Sequence, residues 1–353
     1  MLQSAQRSIA ALGLTALSLA SLPTAKANTA ELAQGSASDL GVMSIQLKDI
    51  VKPQVGVQAQ TQAAGTPNQA GLGGFLPLVV GNNSVFFADV QANANFADWG
   101  NSSSIINTTV AGTTISTSSR LGYRWLNGDR TWMYGLNAGY DTRPMSTGLA
   151  DTGIPVYASR TAFFQQAAVN AEAMNDQWSF NLYGLIPTGM TNQTLNTAYQ
   201  GGALYTVGID AGYNLTPDLK ASLGYYQQDG DLNTADGPGV MGRLAYDITN
   251  DLTIGTNLTY DSAFKSRFSA DIKWRFNTHQ EPKIGDSKRT LLAKLNQSPT
   301  YRNVRVHDFS WGGCAKGAAQ GMLGGILTGD PEGSAAGGVA GCITGGLGWH
   351  PHW

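Results

Sequence analysis

From about residue 54 to residue 276 the chain alternates apolar and polar side chains. In Ser266–Phe276, SRFSADIKWRF, Phe268, Ala270, Ile272, Trp274 and Phe276 alternate with Arg267, Ser269, Asp271, Lys273 and Arg275. In Gly201–Leu215, Tyr205, Val207, Ile209 and Tyr213 alternate with Thr206, Gly208, Asp210 and Asn214. Successive side chains of a strand point to opposite faces, so a sustained period of two is a strand with one apolar and one polar side. The pattern predicts twelve strands, at 54–62, 70–80, 84–97, 115–126, 131–142, 160–174, 176–187, 201–215, 218–228, 239–249, 251–261 and 265–276.

Period two alone also fits a soluble β-sandwich, whose polar faces would meet water. The composition of the polar face argues against that. Only 13% of the residues are charged, net charge −2, about half the usual charged share. The polar positions carry Gly, Ser, Thr, Asn and Gln instead. Alternating segments of about 9–12 residues have the length of tilted strands that cross a bilayer. In lipid every backbone group must be paired within the protein, so such strands close into a barrel. The near-zero net charge implies no attraction to nucleic acid.

The links between strands give an independent sign. After the second, fourth, sixth, eighth and tenth strands they are short: 81–83, 127–130, Asn175-Asp176, Thr216-Pro217 and Asn250-Asp251. These are tight-turn residues. The links at 63–69, 98–114, 143–159, 188–200 and 229–238 are long, and only 262–264 breaks the rule. Outer-membrane barrels have short periplasmic turns and long outer loops. Twelve strands with both barrel ends in the periplasm is the expected arrangement.

The N-terminus begins with Arg7, an apolar stretch at Ile9–Leu22 and Ala25-Lys26-Ala27, the marks of a signal peptide over 1–27. Residues 28–53 read as a periplasmic N-terminal segment. Residues 54–276 read as an outer-membrane barrel, followed by a linker at 277–310 and a C-terminal segment at 311–353. Within the linker, 288–296 suits two turns of amphipathic helix and 298–308 reads as extended and polar.

GFLPLVVGNNSVFFADVQANANF from Gly74, then SSRLGYRWLNGDRTWMYGLNAGYDT, resembles the barrel of inverse autotransporters, the intimin/invasin family. The resemblance rests on Phe75–Leu78, Leu121–Trp125 and Gly139–Asp141 in that order, and covers roughly residues 54–310. It implies a twelve-stranded outer-membrane barrel whose C-terminal segment passes back through the lumen to the cell surface, with 277–310 as the linker threading the barrel and 311–353 as the passenger. The chain departs from the family twice. Residues 28–53 are too few for a peptidoglycan-binding module, and 311–353 too few for immunoglobulin-like and lectin-like domains.

The C-terminal segment carries glycines at every fourth position: Gly313, Gly317, Gly321, Gly325, Gly329, Gly333, Gly337, Gly341 and Gly345. Such spacing is costly in a lone soluble helix but lets paired helices approach closely. It predicts a glycine-zipper hairpin of helices at about 314–328 and 332–346, turning at Asp330-Pro331. Cys314 and Cys342 lie near one end of that hairpin and are a disulfide candidate in an exported chain. A displayed passenger, a membrane-active element and a disordered Gly/Ala tail all remain open readings of the ladder.

No G-x-S-x-G, H-E-x-x-H or phosphate-loop motif occurs. His279, His307, His350 and His352 are the only histidines, and none falls on a predicted barrel strand to serve as a general base. His350 and His352 alone make a poor metal site. The expectation is therefore a non-enzymatic protein with no cofactor, no metal and no catalytic residues. Its partners would be outer-membrane lipid, the barrel-assembly machinery and a neighbouring cell surface or membrane. The inward charges Arg120, Arg124, Arg243, Asp210, Asp271, Lys273 and Arg275 are expected to pair with one another or with the threading segment. A porin-like diffusion channel is the alternative reading.

Overall fold

The computed structural model describes residues 46–96, 108–110, 113–150, 160–197, 199–233, 235–276 and 287–310. The predicted signal peptide, the glycine ladder and the Cys314–Cys342 pair lie outside the described residues. Twelve strands form the barrel: β1 (Gln54–Gln60), β2 (Asn68–Val80), β3 (Ser84–Phe96), β5 (Thr114–Leu126), β6 (Met133–Ala150), β7 (Thr161–Met174), β8 (Trp178–Pro187), β10 (Tyr199–Asn214), β11 (Leu219–Gly230), β12 (Gly237–Asp247), β13 (Leu252–Asp261) and β14 (Lys265–Phe276). Each pairs antiparallel with its neighbours, and β14 pairs with β1 from Val55↔Phe276 to Gln60↔Asp271, which closes the ring. The twelve expected strands are thus the twelve observed. Three short strands flank the wall: β4 (Thr108–Val110) on β6, and β9 (Asn192–Thr194) and β15 (Val306–Ser310) on β10. Two helices complete the order, α1 (Leu47–Ile50) before β1 and α2 (Ser287–Lys294) after β14.

One boundary differs appreciably. The expected link 143–159 begins in strand, because β6 continues through Ala150 and pairs with β7 from Arg143↔Phe164 to Ser146↔Thr161. Arg143-Pro144 reads as a break, since proline withdraws a ladder donor. It is tolerated because β5 leaves β6 at Thr117↔Thr142, so Pro144 sits on an edge.

The parity of the alternation fixes which face is out. Leu72, Val90, Leu121, Leu136, Leu223 and Leu258 are each more than half exposed on the outer surface. An apolar band of this extent is untenable in water and natural in lipid. Near the short turns the band carries a chain of rings. Trp132 lies 6.3 Å from Tyr134 and 6.4 Å from Phe180, and Trp178 lies 5.9 Å from Phe180 and 4.7 Å from Tyr213. Such rings mark a membrane–water interface.

Two apolar clusters lie inside the ring at opposite ends. At the short-turn end Leu291 and Leu292 of α2, with Leu295 just after it, pack on Leu47 and Val51, and on Phe75, Val85, Phe87, Leu126 and Met133 of the wall. The end of the segment 28–53 is therefore part of the barrel's interior packing: Leu47 is 1% exposed. At the long-loop end Val304 and Val306 pack on Met145, Phe164, Leu195, Tyr199, Ala235 and Phe264.

Candidate functional site, a polar lumen around an inner segment

Between the two clusters the inward polar residues of the wall meet residues 294–306. The geometry follows from strand parity, which turns Asp89, Arg120, Arg124, Asp141 and Glu172 inward and leaves each less than a tenth exposed. Buried charges are tolerable only when paired and hydrogen-bonded, and here they are.

Arg124 donates from Nε to Glu172 at 2.5 Å and from Nη1 to the carbonyls of Leu295 at 2.8 Å and Gln297 at 2.6 Å. Those carbonyls follow α2 directly, and the same nitrogen lies 3.4 Å from the carbonyl of the helix's last residue, Lys294, where a cation both satisfies free acceptors and opposes the helix dipole. Its guanidinium also lies 4.7 Å from the Phe87 ring centre. Arg120 forms a forked pair with Asp141, at 2.6 and 2.9 Å, and donates to the Tyr301 carbonyl at 3.1 Å. Ser118 and Gln166 donate to the same carboxylate at 2.5 and 2.8 Å.

The inner segment answers with its own charges. Arg302 pairs with Asp89 and donates from Nε to Ser118 Oγ at 2.7 Å. The Tyr301 hydroxyl donates to Asp210 at 2.8 Å, while its ring stacks on Tyr183 at 3.7 Å. Toward the long-loop end, Arg143 donates to the carbonyls of Gly65 at 2.5 Å and Val304 at 2.8 Å. Arg305 reaches Asp261 at 3.2 Å with its guanidinium 4.6 Å from the Tyr226 ring centre. Then β15 adds to β10, from Tyr199↔Ser310 to Ala203↔Val306. There burial holds the His307 imidazolium pKa down to about 4 and raises that of the Asp308 carboxyl well above its usual range.

Of the expected lumen charges, Arg120, Arg124 and Asp210 contact the inner segment, and Arg243 pairs with Asp271 at 2.5 Å. Arg275 reaches the Asn250 carbonyl at 3.4 Å. Lys273 makes no hydrogen bond or ion pair among the described residues. Sequence reasoning left out Asp89, Asp141, Arg143, Glu172 and Asp261 as partners. For Asp89, Asp141, Glu172 and Asp261 the signal was present in the alternation, which points each of them inward, whereas Arg143 lay in the expected link and became a wall residue only because β6 runs on. Three or more His, Cys, Asp or Glu side chains do not converge as metal ligands among the described residues. What the described residues form is a set of paired charges that hold the inner segment against the wall.

No family model and no curated protein matches the sequence. Among solved structures, one from work on the in-meso crystallization of membrane proteins is 14% identical over 72% of this chain and 99% of its own, with a TM-score of 0.52. KdgM porin is 8% identical over 63% of this chain and 98% of its own, at a TM-score of 0.35. The Salmonella typhi outer membrane phospholipase is 14% identical over 64% and 90%, at 0.34. At these identities the first likeness speaks to the fold alone, and the other two add nothing to it. With the outward apolar band and the closed ring, the class is defined: this is a twelve-stranded transmembrane β-barrel of the outer-membrane type.

Proposed function

We propose that the barrel is an inverse autotransporter of the intimin/invasin kind, which passes its own C-terminal segment through the lumen and displays residues 311–353 at the cell surface. The observation that carries this reading is the path of residues 291–310. Leu291, Leu292 and Leu295 pack beside the short turns, while Val304, Val306 and β15 pack beside the long loops. Short turns face the periplasm in outer-membrane barrels, so a path that ends at Ser310 beside the long loops supports an exit on the outer side. The polar contacts along that path suit a segment that slides in wet and is then held. Lipid surrounds the apolar band, and assembly would follow the route common to outer-membrane barrels. The glycine ladder is the cargo in this reading, with Cys314 and Cys342 as its lock.

The test is an epitope tag placed after Trp353, read on intact cells with and without external protease. A surface-visible, protease-sensitive tag is expected. A tag seen only after permeabilisation overturns the reading and moves the porin-like channel ahead of it.

A further inference from the structure

The inner segment does not fill the lumen evenly. Its side chains and backbone bond to β1, β3, β5, β6, β8, β10 and the long-loop ends of β11 and β13. On that side Arg120 and Arg124 are 2% and 1% exposed. On the opposite wall, from β11 to β14, Tyr226, Gln228, Asp261 and Ser269 are buried, but toward the short turns Lys220, Ser222, Ala245 and Asn257 are only half-buried and Lys273 is exposed. Arg243, although paired with Asp271, still exposes 24% of its side chain.

Register shows how this wall is built. One rung runs Lys220↔Ala245, Ala245↔Gly255 and Gly255↔Asp271. Its two middle positions carry almost no side chain, on strands about 4.8 Å apart; the Arg243–Asp271 pair covers Gly255, and the half-buried Ala245 between that pair and Lys220 is the floor of a shallow recess. The Arg243 guanidinium lies over Gly255, where an added Cβ would stand 2.4 Å from its Nη2. Lys220 flanks the recess on β11, and Lys273 flanks it on β14, one inward position from Asp271. The carboxylates that face this space each already accept a donor. Asp271 takes Arg243, Glu172 takes Arg124, Asp210 takes Tyr301 and Asn181, and Asp247 takes Thr253. Among the described residues the Lys220 and Lys273 ammonium groups make no hydrogen bond or ion pair. Two cations from strands three apart, with an arginine edge between them, are a matched set for one multivalent oxyanion. A single ligand with several acceptor oxygens satisfies all three, whereas a chloride satisfies one.

We propose that this recess binds a soluble phosphate-class oxyanion inside the lumen, held by Lys220, Lys273 and the open edge of Arg243. The ligand enters from the short-turn end, because Tyr226, Asp261 and Phe264 are buried at the other. A lipid headgroup carries the same chemistry, but the recess faces the lumen, away from the lipid band. The binding is independent of where residues after Ser310 run.

The test uses the full chain folded in non-ionic detergent, with its lysines reductively dimethylated to give methyl NMR signals. Two signals, assigned through Lys220→Arg and Lys273→Arg, should shift and saturate on adding pyrophosphate at fixed ionic strength, and should not respond to chloride. Lys273→Met should weaken the midpoint about tenfold or more, while Lys273→Arg holds it within about threefold. Heat-modifiable gel mobility confirms that each variant keeps its barrel. A response to short-chain phosphatidylglycerol but not to pyrophosphate overturns the proposal in favour of a headgroup. A linear, unsaturating drift with any salt overturns it in favour of simple screening.

Discussion

Arg124 on β5 and Glu172 on β7 meet at 2.5 Å across the full width of β6, above a glycine. The register runs Arg124↔Gly135 and Gly135↔Glu172, so Gly135 is the floor of the ion pair. A Cβ added there would stand 2.4 Å from the Glu172 carboxylate. The same device recurs on the other wall, with Arg243 and Asp271 meeting over Gly255.

Gly135→Ala should therefore be destabilising although it adds one methyl group. The carboxylate must move, and Arg124 then loses the partner that aims it at the end of α2. The expected cost is about 1–3 kcal/mol, the usual range for overpacking. Gly128→Ala, in a turn where an added Cβ meets nothing within 4 Å, should change stability by less than about 0.5 kcal/mol. Urea unfolding midpoints in detergent compare the two. Equal midpoints would show that the pair does not depend on its floor.

Asp89 and Arg302 test the hold on the inner segment. Both are buried, and removing one leaves the other as an uncompensated charge. Asp89→Ala should loosen the segment by about 3–5 kcal/mol, and Asp89→Ala with Arg302→Met should recover much of that loss. Hydrogen exchange of the amides from Thr300 to Val306 reads the effect directly. Exchange that is unchanged in Asp89→Ala would mean that the segment is held elsewhere.

The wall and its two faces were legible because a barrel imposes one rule on every strand. Leu121 and Leu136 outward and Arg120 inward follow from counting by two. The ion pairs were harder for a physical reason. Each joins residues on different strands, and partner choice depends on register, which alternation does not specify. Arg120 reaches Asp141 diagonally rather than its direct partner Gly139. Arg124 skips a strand altogether, and the clue was an inward glycine on the strand between. The burial of Leu47 and Val51 was missed because a four-residue helix has too little length to show a periodic face.

The outward face makes a prediction of its own. Leu121 is 56% exposed near the middle of β5. Leu121→Arg should cost about 2–4 kcal/mol in a phospholipid bilayer, the range for a cation at the midplane of a barrel's lipid face. Thr117→Arg, nearer the rim of the same face, should cost less. Folding equilibria in liposomes measure both. Equal costs would mean that the apolar band is not centred where the strands place it.

His307 sets how the long-loop end responds to acid. It lies on β15, which joins β10 at Tyr199–Ala203, beyond the Thr206↔Leu185 rung where β8 begins to pair, and so outside the membrane-spanning wall. Burial is the main reason its pKa falls to about 4. Asp261 and Asp236 pull the other way, and Arg305 adds to the depression. Phe264 meets the ring edge-on at 5.2 Å. Above the ordinary histidine pKa of about 6.5 the ring is neutral whether β15 is docked or not, and the full stability is present. As pH falls from about 6.5 toward 4, the undocked strand takes up a proton that the docked one refuses, so docking weakens. The neighbouring Asp308 acts with the opposite sign, since its buried carboxyl favours the protonated form and docks more easily as pH falls. The variant separates the two. His307→Gln should remove a loss on the order of 3 kcal/mol between pH 6.5 and 4 while leaving the Asp308 contribution in place. Protease cleavage of the segment around β15, followed from pH 7.5 to 4.5 in both proteins, gives the difference. Wild type should become more sensitive than the variant as the pH falls, and parallel profiles would show that His307 stays neutral for a reason that docking does not share.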